Sequence, residues 1–162
     1  MNPTVVEATR GGIVESAHRG ALAIVDAHGA AVHTLGDTAR PVFARSAVKV
    51  LQALPLVASG AADALGLGDE ELALACASHN GQAQHVATAA GMLAKAGLDE
   101  AALECGLHWP QHEVAQRELA TSGRPLSALH NNCSGKHAGF LCVGCLMARA
   151  TDRPRWWPAG RR

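Results

Sequence analysis

The sequence predicts an α+β fold, an antiparallel β-meander followed by a helical cluster. Three observations predict it. The first forty residues hold short apolar runs punctuated by glycine. After Pro41 the spacing of apolar residues turns helical. No internal repeat or low-complexity linker separates the two parts. The strand-like runs are Val5 to Glu7, Ile13 to Ala17, Ala21 to Asp26 and Ala31 to Leu35. Gly11-Gly12, Gly20 and His28-Gly29 stand between them, which is hairpin chemistry. Ser46 to Ala58 begins as a helix, with Pro55 set to kink or end it. Asp69 to Ala77 opens on acids that suit a helix N-terminus. Ala83 to Ala96 and Glu113 to Ala120 carry helical spacing, and Gly135 to Ala150 reads as an apolar helix.

Composition narrows the class. The chain has 162 residues, 48% hydrophobic and 17% charged, enough for one packed domain and too apolar for disorder. It holds 33 Ala and 17 Gly but two Phe, three Trp and no Tyr, so its core must come from close helix packing rather than large rings. Fourteen Lys and Arg balance fourteen Asp and Glu, which leaves no basic field for nucleic acid or a membrane surface. No apolar run reaches a membrane span, and Met1 to Arg10 lacks the form of a signal peptide. Five cysteines, an odd number, read as reduced thiols of a cytoplasmic protein. The charges are uneven along the chain. Residues 151–162 hold four Arg against one Asp, plus Trp156-Trp157 and two Pro, without periodicity. They form an atypical tail beside the domain spanning 1–150.

Three segments are dense enough in reactive groups to carry chemistry. Ser46-Ala47-Val48-Lys49 is an S-x-x-K, and residues three apart share a helix face, so Ser46 Oγ and Lys49 Nζ can approach each other. A serine hydroxyl needs a base to act as a nucleophile. Lysine is protonated at neutral pH and serves as that base only where burial or a neighbouring cation lowers its pKa; Arg45 is adjacent. Free N–H groups at a helix start also suit a developing oxyanion. By spacing alone the signal is weak, and an N-capping Ser with a solvated Lys is the plainer explanation of the motif.

Ser78-His79-Asn80-Gly81 has the S-x-N form that accompanies S-x-x-K in serine active sites, although the third element, K-T-G, is absent. Its plain alternative is a helix-terminating turn. His130 to Gly139 (HNNCSGKHAG) precedes the last apolar helix. Within it His130, Cys133 and His137 are spaced like zinc ligands, and the helix start suits a carboxylate. A capping segment with solvent-facing His is the alternative. Cys142-Val143-Gly144-Cys145 is a C-x-x-C inside an apolar run, which reads as buried small residues rather than a redox pair.

Taken together these segments resemble the rhizobial-type (class 3, asparaginase II) L-asparaginases. The resemblance rests on Phe43 to Lys49 (FARSAVK), Gln52 to Leu56 (QALPL), Ala77 to Gly81 (ASHNG), Cys105 to Pro110 (CGLHWP) and His130 to Phe140 (HNNCSGKHAGF), in order over residues 5–150. It implies a serine-β-lactamase-like fold and hydrolysis of L-asparagine to L-aspartate and ammonia. By the same resemblance Ser46, Lys49 and Ser78 are catalytic, and Arg45 and His137 line the substrate pocket. Cys133 and Lys136 supply part of a zinc site whose remaining cysteine falls beyond residue 162, as does the lysine that partners Ser78. Where the family has Lys-Pro, this chain has Lys49-Val50. The family's chains run longer, and the tail is what a reading-frame shift in GC-rich DNA would produce. The expectation is therefore an incomplete fold, with a homodimer as the default assembly. Three alternatives stay open: an inactive fragment, a related serine amidohydrolase acting on glutamine or another small amide, and a zinc module built on His130, Cys133 and His137.

Overall fold

The computed structural model describes residues 1–151, with side chains through residue 148. The tail expected to be atypical lies, but for Thr151, outside the described residues. The chain divides into two compact units, Met1–Phe43 and the part from Ala44 onward.

The first unit is all β. Strands β1 (Thr4–Arg10) and β2 (Ile13–Arg19) pair antiparallel, with Arg10 opposite Ile13. Gly11 and Gly12 make the turn with φ of 57° and 81°, a left-handed pair that any Cβ would strain. Strands β3 (Leu22–Val25) and β4 (Ala31–Leu35) form a second antiparallel pair. Their loop is closed by the Asp26 carboxylate, which accepts from the amides of His28 and Ala30. The α+β class is as the sequence predicts, but the meander is corrected to two separate two-stranded sheets. The reason lies at Gly20. It reads as a turn, yet its N–H donates to the Pro3 carbonyl at 3.1 Å and extends the β1–β2 ladder, so no reversal there lays β3 beside β2.

The second unit is helical. A 3₁₀ turn at Arg45–Val48 leads into α1 (Lys49–Ala58), so Ser46 sits one turn ahead of the α-helix proper. Pro55 does not end α1; the helix continues to Ala58, and Pro55 itself accepts from the Ser59 amide. Then follow α2 (Ala61–Ala64), α3 (Asp69–Cys76), α4 (Ala83–Ala96), a 3₁₀ turn at Glu100–Ala102, and α5 (Glu113–Thr121). A last 3₁₀ turn (Ala128–His130) precedes α6 (Ser134–Thr151). The Glu71 carboxylate ties α3 to its neighbours: it accepts from the Gly68 amide at 2.8 Å and pairs with Lys95 of α4 at 2.6 Å.

Helix α6 is the axis of this unit, packing against α1, α3 and α4. Its inward face carries Gly135, Ala138, Gly139 and Cys142, spaced i, i+3, i+4, i+7. A Cβ on Gly135 would stand 2.6 Å from Leu74 Cγ and 2.7 Å from the Leu74 carbonyl, so the approach of α3 to α6 requires glycine. Leu56, Ala75, Met92, Leu93, Ala138 and Cys142 close the core around that seam, each buried. Small residues thus set the helix spacing, as the Ala-rich composition predicts. Among the described residues no helix is long and apolar enough to cross a membrane.

Candidate functional site

The seam between α1, α3 and α6 places the reactive residues. Lys49 opens α1 and points inward; its side chain is buried to 3% exposure. Because α3 ends at Cys76, the chain leaves extended through Ala77 and sets Ser78 across from it. Lys49 Nζ donates to the Ala77 carbonyl at 2.8 Å and to Ser78 Oγ at 2.7 Å. Ser78 Oγ in turn donates to Ser46 Oγ at 2.9 Å. Among the described residues no carboxylate pairs with Lys49. The structure therefore brings together all three residues expected to be catalytic, in an order spacing cannot supply. Lys49 reaches Ser46 through Ser78.

Ser46 and Ser78 are both exposed, so the end of this chain faces solvent. Ser78 also lines a cleft of about 620 Å³ with His79, Asn80, Gln82, Gln84, His85 and Glu70. Arg45, immediately before Ser46, has φ 48°, the left-handed region that non-glycine residues rarely occupy. The Ala47 N–H donates to the Ala44 carbonyl at 3.1 Å within the 3₁₀ turn, so this amide is already engaged.

The loop ahead of α6 is held by its own side chains. Asn131 Oδ1 accepts from the Cys133 amide, and Asn131 Nδ2 donates to the carbonyls of Cys105 and Gly106. His137 Nδ1 lies 2.9 Å from the Cys133 carbonyl, which can only accept, so Nδ1 carries a proton. Lys136 Nζ lies 5.9 Å from the centre of the Phe140 ring. His130 Nδ1 accepts from the Ser127 amide. Among the described residues no three His, Cys, Asp or Glu side chains are gathered to hold a metal ion. The trio His130, Cys133 and His137 is thus not assembled, and Cys133 with Lys136 offers two donors at most. The residues present do not by themselves fit a zinc site.

The sequence reading passed over His79 and Ser134. The His79 ring is buried at 4% exposure. Its Nδ1 accepts from the Gly81 amide at 3.1 Å, and its Nε2 lies 2.8 Å from Ser134 Oγ. Burial above all, and then His85, Lys49 and His130, pull the His79 pKa down to about 4. The signal that could have found it is the middle position of S-x-N, directly after the buried Leu74-Ala75 turn of α3. All five cysteines are free, and burial pushes the Cys142 thiol of the C-x-x-C up to about 11 within the core.

A family model described as L-asparaginase II matches residues 6–153 of the chain. No curated protein matches it significantly.

Proposed function

The chain belongs to the L-asparaginase II family, and from that premise we propose that it hydrolyses L-asparagine to L-aspartate and ammonia by a Ser–Lys mechanism. The observation that carries the reading is the continuous bonded line from buried Lys49 through Ser78 to exposed Ser46. Hydroxyl protons rotate, so the same heavy-atom distances serve the reverse direction, with Ser46 donating to Ser78 and Ser78 to a neutral Lys49.

In the proposed step Ser46 Oγ attacks the side-chain amide carbon. Its proton passes to Ser78 as the Ser78 proton passes to Lys49. The C–N bond breaks as the proton returns along the line to the departing nitrogen, which leaves as ammonia. Water then attacks the Ser46 ester by the same relay, freeing aspartate. Arg45, exposed beside Ser46, suits the substrate's α-carboxylate. His137, whose Nδ1 is engaged by the Cys133 carbonyl, orients the rest of the charged α-groups. We further assign the architecture to the serine-β-lactamase-like class, the protein to the cytoplasm and its assembly to a homodimer. An experimental structure, fractionation and sedimentation velocity test these in turn. Zinc supplies no step here. If Cys133 and Lys136 contribute to a zinc site, metal analysis of the purified protein will show zinc that is lost in Cys133→Ala.

The deciding experiment is ammonia release from asparagine and from glutamine by the purified chain. We expect asparagine turnover that falls to background in Ser46→Ala. Equal turnover in that variant removes the mechanism. A preference for glutamine reassigns the substrate within the amidohydrolases, a discrimination worth about 1–3 kcal/mol per methylene. Silence of a folded wild-type chain identifies an inactive member of the family.

A further inference from the structure

We infer that His79, through its paired bonds to the Gly81 amide and the Ser134 hydroxyl, is a positioning residue that holds Ser78 between Ser46 and Lys49; the inference rests on the Ser–Lys reading above.

The bonding leaves the ring one state. A backbone N–H can only donate, so the Gly81 amide requires an unprotonated Nδ1. Neutral His79 then carries its proton on Nε2 and donates to Ser134 Oγ at 2.8 Å. Ser134 passes its own proton to the Leu129 carbonyl at 2.9 Å. Each group in this line has one role, and none is left over. The main chain doubles the connection, since the His79 N–H donates to the Asn132 carbonyl at 3.2 Å. On the far side the Asn80 carbonyl accepts from the amides of Gln111 and His112. The loop that bears Ser78 is therefore pinned to the start of α6 by a side chain that touches neither Ser46 nor Lys49 through a hydrogen bond.

An imidazolium would turn two N–H donors against each other at Gly81. The surroundings oppose that charge from three sides. His85 of α4 stacks on the ring with centroids 5.2 Å apart, Lys49 lies on the α1 side, and His130 belongs to the turn before α6. Glu70 of α3 lines the same cleft. Geometry and charge thus favour the one tautomer that keeps the latch closed.

The test compares the full chain with His79→Gln and Ser134→Ala, reading amide exchange and asparagine kinetics on the same samples. Gln places a donor near the Nε2 position but loses the Gly81 acceptor; Ser134→Ala removes the other half. We expect faster exchange over 77–81 with α4 unchanged, and a kcat about 100-fold lower in His79→Gln at nearly constant KM, the scale of a misplaced catalytic group. Unchanged exchange over 77–81 overturns the proposal, as does unchanged kcat in an active chain. Exchange that rises throughout α1, α4 and α6 also overturns it, by showing a general structural role. A silent wild type with selectively loosened 77–81 leaves the latch standing and removes the asparagine reading instead.

Discussion

Lys49 is the residue on which the two possible directions of the relay differ. It is buried and bonded to a carbonyl and a hydroxyl. Arginine at this position would keep a cation and its donors but cannot surrender a proton at working pH. Lys49→Arg is therefore expected to lose turnover of asparagine by 10²-fold or more, the scale of general-base catalysis, in a protein that still folds. Turnover within a few-fold of wild type would show that Lys49 works by charge alone. His79 makes a second prediction at this scale. Its pKa is about 4 when folded against 6.5 when free, so below neutrality the unfolded chain binds the proton that the folded chain refuses. Stability is full above about pH 6.5 and declines as the pH falls towards 4, by on the order of 3 kcal/mol. Denaturant titrations at pH 7 and pH 4.5 read this directly, and the His79 contribution disappears in His79→Gln.

Among the elements, legibility followed local signal. Helix α4 stands where the sequence predicts it, at Ala83–Ala96, because a long amphipathic run ends at Gly97. Helix α2, four residues of Ala and Asp, carries too little pattern to be read. The strands and both hairpins were legible, but the break between β2 and β3 was not, since it turned on whether the Gly20 N–H faced Pro3 or a turn. The site divides in the same way. Ser46, Lys49 and Ser78 are visible as motif residues, whereas the order Lys49–Ser78–Ser46 depends on where α3 stops relative to α1. His79 was hidden because its partners, Gly81 and Ser134, are ordinary residues made specific only by burial. Element packing gives its own prediction. Gly135→Ala drives a Cβ into the Leu74 side chain and carbonyl and must push α3 from α6, at a cost of about 1–3 kcal/mol. Gly91→Ala, inside α4 with Glu71 Oε1 at 3.9 Å as the nearest neighbour, is expected to stabilise by about 0.5–1 kcal/mol. Thermal melts of the two variants should move in opposite directions, and a shared direction would show that space at the α3–α6 seam does not decide.

For the molecule as a whole, the stability and the candidate site belong to the same unit. Every buried core residue lies after Ala44, whereas every residue of the four strands is exposed. A two-stranded hairpin without a buried face is marginal in water, so the hairpins of residues 1–43 cannot carry the fold of the rest. The helical unit has the packed interior that resists opening, and it holds Ser46, Lys49, Ser78 and His79 on the elements around that interior. Met92, fully buried at 0% exposure, is expected to cost about 2–5 kcal/mol when cut to alanine. Ile13, 75% exposed on β2, should change stability by less than about 0.5 kcal/mol when replaced by serine. Urea midpoints followed by far-ultraviolet circular dichroism measure both. If Ile13→Ser lowers the midpoint as far as Met92→Ala, the hairpins hold more of the stability than their exposure allows, and the helical unit cannot be treated as the sole support of the relay.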